Sequence, residues 1–242
     1  LSSRSILVRR MQRRSRTMLQ INTSLRASRI GGKRPLSAIK AIVFHYTANT
    51  GTHASALGNA RYFANGSEGR AASAHYCVDE KNVVYECVPL DTIAWSVGDG
   101  QSGKYGRVYN NYNTVSIEMV SHTDSAGRYY IPEETMRNAA RLYQMLLKKL
   151  PNVKDAVRHY DISMKLCPLP LIDEGKWSDF KKLLVEVDEV VEKSKIIVDG
   201  KECPVDRILK DGTNYIKIRD LAEALDLEVS NQGNIAVLNT KK

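Results

Sequence analysis

The sequence predicts a mixed α/β domain, a central β-sheet flanked by helices, over residues 20–193, followed by a small α+β domain over 194–242. Three observations carry this. Short apolar runs with strand-like alternation interleave with amphipathic helical stripes through most of the chain. A hydrophobic content of 43% over 242 residues is enough to bury a core without suggesting disorder. After "EKSK" the texture changes to short β-rich runs separated by turn residues.

The elements follow in order. "AIKAIVFHYT" (38–47) places Val43 and His45 on one face and Ile42 and Phe44 on the other, which predicts a strand buried on both sides with His45 near its end. "HASALGNARYFAN" spaces Ala56 or Leu57, Ala60, and Phe63 or Ala64 along one helical face. "SAHYCVDEKNVVYECVP" is a hairpin signal around the turn Asp79 to Asn82. "NTVSIEMV" (113–120) is a strand with one acid, Glu118, in an apolar run. "PEETMRNAARLYQMLLKKL" (132–150) opens with Pro132 and two acids, closes with lysines, and carries Met136, Ala139, Ala140, Tyr143, Leu146, Leu147 and Leu150 on one stripe. A second amphipathic helix over about 176–193 uses Trp177, Phe180, Leu184, Val187 and Val191. In the tail, "IIVDGKECPV" has an Asp-Gly turn, "NYIKI" reads as a strand, "RDLAEALDL" as a short helix, and "EVSNQGNIAVL" as a second hairpin around Asn231 to Asn234. A unit of that size is only marginally stable alone.

A net charge of +9 raises the question of nucleic acid, but its distribution argues against it. Arg4, Arg9, Arg10, Arg13, Arg14 and Arg16 lie in a basic arm over residues 1–19, and removing these six leaves +3. The arm reads as an appended or disordered tail, without the apolar stretch of a signal peptide, and no run of about 18 apolar residues occurs to insert in a membrane. Cys77, Cys87, Cys167 and Cys203 form no dense framework, so they are read as reduced thiols; Cys77 and Cys87 lie on the two arms of the expected hairpin.

"RHYDISMKLCP" (158–168) sets His159 and Cys167 eight positions apart, a weak metal signal by spacing alone. His45, at the end of a buried strand, supplies a third donor. Two imidazoles and one thiolate leave a fourth tetrahedral position free for water, the arrangement of a catalytic rather than a structural zinc. Such an ion lowers the pKa of its water from near 16 to about 7. Glu118 is suited to take the water's proton and hand it to a leaving nitrogen, because burial raises a carboxyl pKa. Lys165, on the same loop as Cys167, can reach the negative oxygen that develops on a carbonyl. Each residue also has a plain structural reading: a hydrogen-bonded core histidine, an inert packed cysteine, a solvated lysine, a glutamate paired to an arginine. On the residues alone both readings stand.

The segments "VFHYTAN", "ASAHYCVD", "AWSVGDG", "NNYNTVSIEM", "RHYD" and "KLCP", in this order, resemble the zinc-dependent N-acetylmuramoyl-L-alanine amidases of the amidase-2 group, related to phage T7 lysozyme and the peptidoglycan-recognition proteins. The resemblance covers about 38–181 and implies their fold. It implies His45, His159 and Cys167 as zinc ligands, Glu118 as the catalytic glutamate and Lys165 as the residue that stabilises the transition state. It also implies that His75 lines the substrate groove while Trp95 and Asn113 support its walls. The implied substrate is peptidoglycan and the implied cut is the amide joining N-acetylmuramic acid to L-alanine. One departure matters: relatives that place a catalytic tyrosine just before the histidine of the hairpin strand contrast with Ala74 here, which puts more of the proton work on Glu118.

With no visible signal peptide, the chain resembles an endolysin made in the cytoplasm and released to the cell wall; an autolysin whose export signal is missing from this sequence would read the same. A non-catalytic peptidoglycan-binding module of the same fold is the alternative, although such modules typically lose the cysteine. A thiol hydrolase using Cys167 with His159 explains neither His45 nor Lys165. The tail segments "YIKIRDLAEALDLEVS" and "NIAVL" resemble the small copper amine oxidase N-terminal-like modules of secreted and wall-associated proteins, which implies wall binding or self-association.

Overall fold

The computed structural model describes residues 19–51, 54–185, 191–210, 213–232 and 235–241. The chain divides into two compact units between Val187 and Asp188.

In the larger unit the elements run β1 (Gln20–Asn22), β2 (Ala41–Tyr46), α1 (Ala56–Ala64), β3 (Tyr76–Val78), β4 (Val83–Glu86), β5 (Thr114–Met119), β6 (His122–Thr123), β7 (Tyr129–Tyr130), α2 (Glu133–Leu147), β8 (Asp155–Arg158), α3 (His159–Ser163) and α4 (Glu174–Val185). Six strands form one mixed sheet in the order β1-β4-β3-β5-β2-β8. β2 is parallel to both β5 and β8, β3 is parallel to β5, and only the β3–β4 hairpin is antiparallel. This is the mixed α/β architecture that the sequence predicts.

Both faces of the sheet are covered. Ile42, Phe44, Ile117 and Met119 point to the side carrying α2 and α4, where the Phe44 ring meets Phe180 edge-on at 5.0 Å between centroids. Alternation sends Ala41 and Val43 to the other side, where Val97, Tyr109 and Ile162 cover them. α1 closes that side over Cys77 and Cys87 through Ala56, Ala60 and Phe63. Its start is fixed by Ser55, whose Oγ accepts from the Gly58 amide at 3.0 Å, satisfying one of the orphan donors of a helix end. Cys77 and Cys87 are free buried thiols with sulfurs 3.8 Å apart.

Several details differ from the expected pattern. The buried stripe of α2 includes Thr135, Asn138 and Leu142 besides Ala139, Ala140 and Leu146. Asn138 is buried because its Nδ2 donates to the carbonyls of Asp79 and Lys81 at 2.9 and 3.0 Å, clamping the β3–β4 turn; a hydrophobic count cannot find such a residue. β1 and β8 are edge strands without a predicted counterpart, and Leu19, placed in the arm by the sequence reading, packs into the core at 9% exposure. Arg4, Arg9, Arg10, Arg13, Arg14 and Arg16 lie outside the described residues. α4 ends at Val185, Val187 is outside the described residues, and Val191 opens a strand instead of ending a helix.

The smaller unit contains β9 (Val191–Val198), β10 (Lys201–Lys210), β11 (Thr213–Ile216), α5 (Ile218–Ala224), β12 (Leu227–Gln232) and β13 (Ile235–Thr240), in a three-stranded sheet β11-β10-β9 and a two-stranded ribbon β12-β13. The predicted Asp-Gly turn joins β9 to β10 with positive φ at both Asp199 (48°) and Gly200 (80°), the primed turn that matches hairpin twist. Among the described residues its fully buried apolar side chains are Val205 and Ala222, a small core.

Candidate active site

The site gathers at the carboxyl ends of the parallel strands β2, β5 and β8, where open α/β sheets place their ligands. His45 is the fifth residue of β2, Glu118 is its direct partner on β5, and His159 is the first residue after β8. The two imidazole rings are 4.7 Å apart between centroids.

Cys167 reaches the same place by a local return of the chain. α3 lasts five residues and ends at Met164, which adopts the left-handed conformation at φ 67°. The chain then folds back so that the Cys167 carbonyl accepts from the Tyr160 amide at 2.8 Å. The eight-residue spacing is therefore one short helix plus one return loop. Arg158 fastens this turn, bonding Asp161 at 2.7 Å, Glu174 at 2.6 Å and the carbonyl of Ile172 at 3.0 Å.

Donor atoms of His45, His159 and Cys167 lie within 4.8 Å of one another, and all three residues are buried. Cys167 Sγ is 3.7 Å from His45 Nδ1, close to the ~3.6 Å edge of a tetrahedron with metal–sulfur and metal–nitrogen distances of about 2.3 and 2.1 Å. His159 Nδ1 and His45 Nε2 are sealed from solvent with no hydrogen-bond partner. A buried polar atom without a partner is costly, and a divalent cation shared with Cys167 Sγ and His45 Nδ1 would satisfy His159 Nδ1. The donor set fits a soft or borderline divalent metal.

Electrostatics agree with neutral imidazoles. Burial, then the nearby His159 and Lys165, hold His45 well below the usual imidazole range. Burial also lowers His159, against the opposing pull of Asp99. Burial and then Glu118 push the Cys167 thiol up, so without a cation it stays protonated. Glu118 is pushed up to about 8 by burial, with Lys165 pulling the other way, and its Oε2 is sealed without a partner.

The other expected residues are placed differently. Lys165 lies at the rim, its ammonium 3.2 Å from Asp99, with its side chain 59% exposed. His75 does not line a groove: it is 1% exposed. Its Nε2 lies 2.7 Å from Nη2 of Arg34 and its Nδ1 3.0 Å from Ser116 Oγ. The Ser116 amide also donates to Nδ1 at 3.1 Å, and the Thr92 carbonyl lies 3.1 Å from Nε2, so the ring is held at both nitrogens. Trp95 lines a cleft of about 370 Å³ with Ile93, Tyr112 and Asn111. Asn113 braces its own turn, donating to Val108 O and accepting from the Asn110 amide, each at 2.9 Å. The sequence reading missed Asp99, which bonds both His159 and Lys165; its one local signal is an acid set between Gly98 and Gly100.

Residues 35–170 match the family model Amidase_2, N-acetylmuramoyl-L-alanine amidase. The chain is 32% identical over 198 residues to N-acetylmuramoyl-L-alanine amidase CwlL of Bacillus licheniformis, covering 78% of this chain and 53% of that protein. It is 33% identical over 159 residues to the amidase BlyA of Bacillus subtilis, covering 60% and 41%. The chain thus spans about half the length of the curated relatives it matches. Among solved structures, the catalytic domain of XlyA superposes with a TM-score of 0.54 at 25% identity, over 69% of this chain and 99% of that one. A mutant of PlyL shares the fold, with a TM-score of 0.51 at 21% identity over 70% and 99%. With the family model spanning more than half of its length, the chain belongs to the Amidase_2 family of N-acetylmuramoyl-L-alanine amidases.

Proposed function

We propose that this chain hydrolyses the amide between N-acetylmuramic acid and L-alanine in peptidoglycan, with zinc held by His45, His159 and Cys167. The observation that carries the reading is the trio of buried donors within 4.8 Å, with His159 Nδ1 left without a partner. Bound there, zinc supplies Lewis-acid polarisation of the scissile carbonyl and acidifies water.

The chain's own groups supply the proton work and the charge. Glu118 stands opposite His45 in register, and burial raises its carboxyl. Between that upward push and the pull of a nearby cation, it is suited to accept a proton from the attacking water. It then delivers that proton to the departing alanine nitrogen, so an amide and a water become a carboxylate and an amine. The Lys165 ammonium, held at the rim, stabilises the negative oxygen that develops on the carbonyl. The Trp95 cleft, which reaches Gly98 and Gly100 on either side of Asp99, offers an aromatic and amide lining for part of the glycan or stem peptide.

On this reading the protein acts on the bacterial cell wall as an endolysin or autolysin, and the smaller unit binds wall polymer or self-associates. A binding module without catalysis has no use for a buried Glu118 carboxyl with its Oε2 left unpartnered beside the donors. A thiol nucleophile is disfavoured by a sulfur that burial keeps protonated and 5% exposed. Digestion of purified peptidoglycan with and without chelator, with mass spectrometry of the new ends, tests the proposal. Fresh L-alanine amino termini that vanish on metal removal are expected; new reducing sugars, or chelator-resistant cleavage, would overturn it.

A further inference from the structure

Asp99 stands outside the three-donor cluster and divides its carboxylate between two members of the site. Oδ1 accepts from His159 Nε2 at 2.6 Å, and Oδ2 accepts from Lys165 Nζ at 3.2 Å. A carboxylate can only accept, so the His159 proton is fixed on Nε2 and the lone pair is left on Nδ1. That Nδ1 is the nitrogen sealed without a partner. In the other tautomer an N–H would point there and no lone pair would be available.

The loop bearing Asp99 is locked to the helix bearing His159. The Gly103 amide donates to Ile162 O at 2.9 Å and the Tyr105 amide to Asp161 O at 2.7 Å. A Cβ on Gly103 would lie 2.5 Å from the Asp161 carbonyl oxygen, so the two segments approach as closely as only glycine permits. Asp99 and His159 therefore share one rigid frame. Lys165 is on a flexible stem in solvent, and Asp99 is its one ion-pair partner among the described residues.

We propose that Asp99 is a positioning residue with two tasks: it selects the His159 tautomer that presents Nδ1 to a divalent metal, and it tethers the Lys165 ammonium over the same centre. The inference rests on the zinc reading given above. Outer-shell carboxylates of this kind fix ring orientation and typically change metal affinity by about 10–100-fold when removed.

The test uses the full chain. Zinc affinity is measured by competition with a chromophoric chelator for the wild type, Asp99→Ala, Asp99→Asn and His159→Ala, with melting of the zinc-free proteins as a control. Asp99→Ala is expected to bind zinc about 10–100-fold more weakly while the zinc-free melting temperature stays put. Asp99→Asn keeps a neutral acceptor for His159, so its loss of affinity is expected to be smaller, but it no longer holds Lys165. At saturating zinc both variants should therefore lose kcat, and Asp99→Ala should add little to that loss in a Lys165→Met background. Wild-type zinc affinity in both Asp99 variants would overturn the tautomer role; full kcat at saturating zinc would overturn the tether. If instead the wild type binds no zinc, or His159→Ala binds it as well as the wild type, the zinc reading itself fails. A fall in zinc-free melting for Asp99→Ala alone leaves Asp99→Asn to decide.

Discussion

His45 and Glu118 are direct partners across the parallel pair of β2 and β5, so imidazole and carboxyl rise side by side from the same face of the sheet. That placement sets the carboxyl beside the three-donor cluster without making it a member. Glu118→Gln keeps the shape and removes the titrating group. Activity on purified cell walls should fall by about 10²–10⁴-fold while bound zinc, measured by atomic absorption, stays at one per chain.

The buried donors are expected to make the fold metal-dependent in stability. Zinc at a thousandfold excess over its Kd stabilises the folded state by roughly 4 kcal/mol. For a domain of this size that is on the order of 10 °C in melting temperature. Differential scanning calorimetry with zinc and with chelator should show this gap in the wild type. Cys167→Ser or His45→Ala should close it and abolish hydrolysis.

His75 gives the fold an acid limit. Burial first, and then the Arg34 cation, depress its pKa from 6.5 to about 3. The folded state keeps this ring neutral while the unfolded chain takes a proton below 6.5, so stability is complete above that pH and falls as pH drops toward 3. The slope from this one group reaches up to about 1.4 kcal/mol per pH unit. Urea denaturation at a series of pH values should reveal it, and His75→Gln should flatten the curve over that interval. An unchanged slope in the variant would assign the acid sensitivity elsewhere.

Asn138 holds the β3–β4 turn from inside helix α2. Asn138→Leu would leave the carbonyls of Asp79 and Lys81 buried without these donors. A loss of about 2–3 kcal/mol is expected by chemical denaturation, although a leucine there improves the apolar stripe on paper. A neutral or stabilising result would mean that water replaces the amide.

Much of this was legible in the chain itself. Strict alternation in "AIVFHY" set which side chains of β2 face each layer, and the pattern of 132–150, opened by Pro132 and two acids and closed by lysines, located α2. The ordered motifs singled out His45, Glu118, His159, Lys165 and Cys167. β8 was not readable because "DAVR" is four residues with charged ends, too short for any period to show. The helix predicted through residue 193 overran because Val187 and Val191 continue the apolar spacing of α4, yet Val191 opens β9.

By itself the sequence determined the layered fold and the Asp-Gly turn and singled out the candidate site residues, since hydrophobic period, turn chemistry and residue type are written locally. Only the tertiary structure decided that His75 is enclosed by Arg34, that Asn138 clamps a distant turn, and that Asp99 orients a histidine 60 residues away. The physical reason is that a polar side chain's role depends on the partner that meets its donor or acceptor, and those partners meet only when the chain folds.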